Sequence, residues 1–209
     1  RKPMPEELVS QIEPIKEFCR LSNWAVFEKA GYEADDVIGT LALRGKKEGH
    51  PVFIITGDKD AFQLVDEKVK ILQPHKENLV YDAEKVRERF GGLGPEKVTD
   101  ILALMGDASD NIPGVPGIGE KTAIKLVQEF GSVRGLLEKV EKVSSEKQKQ
   151  KILENRSDLE MSLKLATIDT SVPLEIDWPA LSVREPDSPA LSEFFKKYEF
   201  RGLLKTVAV

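Results

Sequence analysis

Cysteine occurs once in these 209 residues, at Cys19, and histidine only twice, at His50 and His75. A lone cysteine forms no disulfide within the chain and builds no cysteine zinc cluster. Two histidines cannot make a histidine-rich metal site. Any bound metal must therefore be held mainly by oxygen, which favours Mg²⁺ or Mn²⁺ over zinc. Long apolar runs are missing as well: PVFIIT (51–56) and ILALM (101–105) fall far short of the ~20 residues that cross a bilayer. The opening RKPMPEEL has no apolar segment of the secretory kind, so no membrane partner is expected. What remains is 40% apolar and 32% charged, a globular composition long enough to bury a sizeable core. The net charge of −5 argues at first against nucleic acid. Yet seven of the 36 acids fall in three clusters, and the others are fewer than the 31 bases. A local basic face is allowed, though composition alone does not indicate one.

The stretch MPEELVSQIEPIKEFCRLSN reads as a helix opened by Pro5 and acids, with Leu8, Ile12, Ile15, Phe18 and Cys19 on its apolar face. Pro14 is expected to kink or divide it. WAVFE (24–28) reads as a short strand, followed by a helix over 34–47. PVFIIT is the clearest strand, a continuous run of the kind buried on both faces. DKDAFQLV starts another helix, and VKILQP and NLVYD read as two further strands. Helix and strand alternate to this point, which predicts an α/β layer with a largely parallel sheet. Beyond residue 82 the periodicity is helical almost throughout, apart from a proline-bearing connector over 170–189. The expected division is 1–80 for the α/β part, 81–189 for the helical part and 190–209 for a terminal helix.

The first acidic cluster is YEADDVIGTLA, where Glu33 and Asp36 share a helix face beside Asp35. Acids in a first helical turn are ordinary, because they oppose the macrodipole. The second is TGDKDAFQ, whose Asp58 and Asp60 follow the PVFIIT strand where sites lie in open parallel sheets. A helix cap explains one of these aspartates and leaves the other over. The third is GDASDN, with Asp107 and Asp110 three apart after the apolar ILALM helix; turn chemistry alone accounts for its composition. Each cluster has a plain structural explanation. Gathered by the fold, however, they form a carboxylate cluster that needs divalent cations to neutralise it. Two such cations about 4 Å apart are a standard device for phosphodiester hydrolysis.

GVPGIGEKTA follows at once. Gly114 and Gly119 have P-loop spacing, but Glu120 precedes Lys121 and Thr122, and an acidic turn stands where a strand is required. A P-loop, and with it a nucleotide hydrolase, is disfavoured. A tight hairpin between two helices is the better reading. Its glycines admit a phosphate to backbone N–H groups, and Lys121 adds charge at a helix N-terminus.

YEADDVIGTLA, TGDKDAFQLV and LMGDASDNIPGVPGIGEKTA together resemble the 5′-nuclease domain of bacterial DNA polymerase I, a relative of the flap endonucleases. The resemblance covers essentially the whole chain. It implies a PIN-like or resolvase-like, mostly parallel sheet flanked by helices, then an all-helical, SAM-like domain with a helix-three-turn-helix. It implies Glu33, Asp35, Asp36, Asp58, Asp60, Asp107 and Asp110 as direct or water-mediated ligands of two divalent metals, the six aspartates being catalytic. Gly117, Gly119, Lys121 and Thr122 are implied at the DNA backbone, often with a potassium ion at the hairpin. Arg1 and Lys2 resemble the last basic residues of an arch and are further DNA-contact candidates. The family has a metal-binding strand and the arch ahead of a segment like RKPMPEEL, so the expected chain is the domain without its amino-terminal portion. FFKKYEFRGLL resembles the join to a polymerase portion of the same chain. The implied function is cleavage of 5′ flaps and nicked or branched duplexes by a monomer in the bacterial cytoplasm, at the nucleoid. The rival expectation is a DNA-binding fragment that lacks enough metal ligands to cut.

Overall fold

The computed structural model describes residues 4–207; Arg1 and Lys2 lie outside the described residues. In chain order the helices are α1 (Glu6–Leu21), α2 (Ala34–Lys47), α3 (Ala83–Arg89), α4 (Val98–Met105), α5 (Glu120–Phe130), α6 (Val133–Glu138), α7 (Glu146–Glu154), α8 (Arg156–Ala166), α9 (Ser188–Lys197) and α10 (Arg201–Val207). The strands are β1 (Val52–Ile55), β2 (Val69–Gln73) and β3 (Leu79–Tyr81). The contacts divide the chain into two bodies: Gly31–Val172, and residues 4–30 with 173–207.

In the first body β1 and β2 run parallel, with Val52 beside Val69, and β3 returns antiparallel, with Ile71 opposite Tyr81. The sheet is small and mixed, in the order β1-β2-β3. PVFIIT is a strand but is not buried on both faces. Ile54 is buried, whereas Phe53 and Ile55 on the opposite face are 55% and 66% exposed. After β1 the chain forms a 3₁₀ turn, Asp60–Leu64, rather than the α-helix expected from DKDAFQLV. The Asp58 N–H donates to Thr56 Oγ1 and the Asp60 N–H to Asp58 Oδ1, so local side-chain bonds replace the helical ones.

Helix α4 is the spine of this body. Val98, Ile101, Leu102, Ala103 and Leu104 are at most 2% exposed. A helix with so much apolar surface must be enclosed, and α5, α8 and the Asp60–Leu64 turn pack on it. The long helical stretch after residue 145 is two helices, because Asn155 interrupts it, its side chain donating to the Lys151 carbonyl. One apolar core runs from Ala42 to Ala166, so sheet and helices share it. On α2, the buried Thr40 accepts the Val172 N–H, and Arg44 donates to the Val172 carbonyl, which fixes the start of the proline-bearing connector.

In the second body α1 is continuous through Pro14. Leu191, Phe194 and Phe195 form its small core, with Phe18, Leu21, Tyr198 and Leu204 packed around them. Of the apolar face expected on α1, Leu8, Ile12 and Ile15 remain exposed. Residues 24–28 form no strand. They leave α1 through a turn in which the Trp24 N–H donates to the Cys19 carbonyl, and the Trp24 ring meets the Phe18 ring edge-on at 5.5 Å. WAVFE has β-propensity but no neighbouring strand among the described residues, and pairing is what makes a strand.

Candidate functional site

A cleft of about 480 Å³ in the first body is lined by Glu33, Asp35, Asp36, Asp58, Asp60 and Asp110, together with Ile112 and residues 164–169. Six of the seven acids singled out in the sequence thus share one cavity, although they come from three distant segments. Helix α2 presents the first three from its N-terminal turn. The turn after β1 presents Asp58 and Asp60, and the turn after α4 presents Asp110. Asp107 is not among the lining residues, because its carboxylate is engaged by Lys59.

The six are not equivalent. Asp36 is an ordinary cap as well as a cleft residue: one oxygen accepts the Glu33 N–H at 3.2 Å and the other the Asp169 N–H at 2.9 Å. Asp58 is partly occupied by the Asp60 N–H. Asp60 is the outlier, since its Oδ1 is buried without a partner. Burial first, and then the charges of Asp58, Asp107 and Asp35, push its carboxyl up to about 6 against the opposing pull of Lys59. Asp107 shows the reverse. Its hydrogen bond to Lys59 outweighs burial and, with the Ser109 N–H at 2.7 Å, holds it below the usual carboxylate range. Burial works against the Lys59 charge, but Asp107, Asp60 and Asp58 outweigh it and raise its pKa.

Among the described residues no three acids, histidines or cysteines already converge at metal-holding distance. The donor set nonetheless fits a hard divalent cation: every donor is a carboxylate oxygen, and the buried Asp60 Oδ1 accepts no hydrogen bond from the protein. The sequence reading left out Lys59, although it lies between the two aspartates of TGDKD. It also left out Lys164, on α8, and Asp169, just beyond that helix, which line the same cleft. Asp169 meets Asp36 across 133 residues, and no local pattern announces that.

The glycines after the acidic turn have two separate jobs. Gly106 (φ +70°) ends α4, and a Cβ on it would lie 2.7 Å from the Ile112 carbonyl oxygen; Gly114 (φ +61°) packs its backbone against Gly106 in return. These two close the GDASDN turn, which a two-residue bridge between Asp107 and Ile112 completes. Gly117 and Gly119 do not pack backbone against backbone. A Cβ on Gly119 would meet nothing within 4 Å, and one on Gly117 would meet only the Lys151 side chain. Gly119 is the N-cap of α5 without a side-chain cap, so the first N–H groups of that helix are left for an anion. Lys121 is exposed and Thr122 half-buried in that first turn. Glu120 is held away by a two-pronged bond from Arg89, both arms 2.8 Å, which lowers its pKa and neutralises the acid nearest the helix end.

Two family models divide the chain. The one for the N-terminal resolvase-like domain of 5′-3′ exonucleases matches residues 1–91, and the one for their C-terminal SAM fold matches residues 93–189. The thermostable DNA polymerase I of Thermus filiformis is 45% identical over 204 residues, which cover 98% of this chain and 24% of that protein. DNA polymerase I of Bacillus subtilis is 41% identical over 208 residues, with the same two coverages. The chain therefore spans 24% of the length of these curated relatives. Among solved structures, a bacteriophage T5 5′-exonuclease mutant superposes with a TM-score of 0.67 at 24% identity, covering 91% of this chain and 74% of its own. The T5 flap endonuclease in a pseudo-enzyme–product complex with DNA and metal ions gives 0.68 at 23% identity, covering 81% and 64%. At such identities the likeness shows the fold alone. No helix among the described residues is long and apolar enough to cross a membrane.

Proposed function

Because this chain belongs to the 5′-3′ exonuclease family, we propose that it is the structure-specific 5′-nuclease part of a DNA polymerase I, hydrolysing DNA phosphodiesters at 5′ ends and flaps during replication and repair. The observation that carries this reading is the continuity of residues 106–120. A turn bearing Asp110 faces the acidic cleft, and the loop that follows it ends at Gly119, an open glycine at a helix N-terminus without a side-chain cap. A phosphodiester chain held by the second is thereby offered to the first.

Glu33, Asp35, Asp36, Asp58, Asp60, Asp107 and Asp110 are the assigned holders of two Mg²⁺ or Mn²⁺ ions, directly or through water. When bound, such ions lower the pKa of water and neutralise the phosphodiester being cut. The protein groups orient and hold. Asp60, buried and unpartnered on one oxygen, provides the strongest demand for positive charge. Asp36 is fixed by two backbone donors and keeps its carboxylate in one orientation. Gly117, Gly119, Lys121 and Thr122 receive the duplex backbone at the start of α5. The partners on this reading are DNA and a polymerase portion of the same chain, and the domain acts as a monomer at the bacterial nucleoid.

A second reading, a DNA-holding fragment that does not cut, is favoured by one observation. Among the described residues no three acids converge as a finished metal cage. One experiment separates the two. A labelled 5′-flap duplex is incubated with this chain and Mg²⁺, with Asp110→Asn alongside. Cleavage that falls about 100-fold or more in the variant supports the nuclease. Binding without cleavage supports the fragment, and equal cleavage by both proteins refutes the site.

A further inference from the structure

The loop that faces the duplex is reached by a side chain from outside it. Lys151, on α7, donates its Nζ to the Pro116 carbonyl at 2.7 Å, across 35 residues. Gly117 makes that approach possible: a Cβ there would stand 2.6 Å from the Lys151 nitrogen, and its φ of +84° is one that L side chains rarely adopt. Several other cations of this body are committed to carboxylates. Lys149 on the same helix is bonded to Glu146 and Glu141, Lys59 to Asp107, and Arg89 to Glu120. Lys151 reaches a neutral carbonyl instead of a carboxylate, so that bond does not cancel its charge. An ammonium bonded to a peptide carbonyl is chemically the counterpart of a monovalent cation coordinated there.

We propose that Lys151 is a built-in cation of the glycine hairpin: it fixes the Pro116 carbonyl and presents a positive charge to the DNA phosphate received beside Gly117 and Gly119. This rests on the duplex-binding part of the function proposed above and extends it to a residue on another helix. The Pro116 carbonyl, already bonded to an ammonium, is then closed to a monovalent ion from solution. A phosphate seated on the α5 N-terminus meets the helix dipole, the open amides and this ammonium together. Lys151 holds the loop and neutralises a phosphate; it has no part in bond cleavage.

The test is equilibrium binding of a fluorescent duplex by anisotropy, in EDTA so that the acidic cleft contributes no divalent ion. Wild type, Lys151→Met and Lys151→Gln are titrated from 50 to 200 mM salt, in potassium chloride and in tetramethylammonium chloride at equal ionic strength. Wild type is expected to bind equally in the two salts. Both variants are expected to bind roughly five- to tenfold more weakly at low salt, with the salt slope reduced by about one phosphate contact. Lys151→Met is expected to bind better in potassium than in tetramethylammonium, because its vacated carbonyl accepts the smaller ion. Circular dichroism checks folding, and if the Met variant is unfolded the Gln variant, which keeps a donor for Pro116 without charge, decides. Affinity within twofold of wild type in that variant, or a potassium preference in wild type, overturns the proposal. Absence of duplex binding by wild type in any salt overturns the function it rests on as well.

Discussion

Asp60→Asn removes a charge that the fold holds against its own preference. The Asp60 carboxyl is raised from 3.8 to about 6, by burial before anything else and then by Asp58, Asp107 and Asp35. A shift of about 2 units corresponds to about 3 kcal/mol. Part of the side chain faces the open cleft, and solvent screening brings this to roughly 1–2 kcal/mol. At pH values well below 3.8 the group is protonated in both states and costs nothing. Between 3.8 and about 6 the unfolded chain gives up the proton while the folded protein keeps it, so stability falls as pH rises. Above about 6 the penalty is complete. In urea titrations with EDTA, Asp60→Asn should therefore be more stable than wild type by roughly 1–2 kcal/mol at pH 7.5, with the advantage fading towards pH 4. Divalent ion at ten times its Kd should return about 1.4 kcal/mol to the wild type and less to the variant. A variant less stable than wild type at pH 7.5, or an advantage that does not change with pH, would refute the electrostatic account of the cleft.

Two other substitutions test the surroundings. Lys59→Met leaves Asp107, only 14% exposed at its side chain, without its cation. Asp107 is held low by that bond, so the stability it contributes is present above pH 3.8 and lost as pH falls through its folded pKa. The substitution should cost about 1 kcal/mol at neutral pH, and thermal melts at pH 7 and pH 3 should show the cost shrinking in acid. The same variant should bind Mn²⁺ several-fold more tightly by electron paramagnetic resonance, because an internal competitor for the carboxylates has gone; weaker binding would contradict that role. Gly106→Ala forces an L side chain to φ +70° and a Cβ within 2.7 Å of the Ile112 carbonyl oxygen, a contact that only backbone movement relieves. It should destabilise by more than about 2 kcal/mol in urea unfolding, and a loss below 0.5 kcal/mol would show that the turn can relax.

Short-range chemistry was legible in the sequence. The helix over 34–47 was legible in this way, and it appears at those bounds, with acids in its first turn. WAVFE failed because β-propensity needs a neighbouring strand, which is a tertiary fact. PVFIIT was read as doubly buried because composition does not reveal whether a second layer covers Phe53 and Ile55. DKDAFQLV was read as a helix because its periodicity was visible, whereas the bonds from Thr56 and Asp58 that tighten it depend on backbone geometry.

The site divides in the same way. That acids would gather was inferable from the residues themselves, since three clusters in a chain of near-balanced charge call for a common explanation. How they differ was not. The Lys59–Asp107 pair spans 48 residues, the Asp36–Asp169 contact 133, and Lys151–Pro116 35. Each is set by tertiary packing between distant segments rather than by spacing along the chain. The glycines show the limit most sharply: Gly106, Gly114, Gly117 and Gly119 look alike in GDASDNIPGVPGIGEKTA, and reading all of them as openings for a phosphate is too generous. Two are consumed by backbone against backbone, which holds the acidic turn and the hairpin in one rigid piece at the end of α4. On the proposed function that rigidity gives the remaining two their value, because a DNA backbone held beside Gly117 and Gly119 would keep a fixed distance from Asp110. Loosening the Gly106–Gly114 contact should therefore impair cleavage more than binding, although neither glycine is assigned to touch DNA or metal.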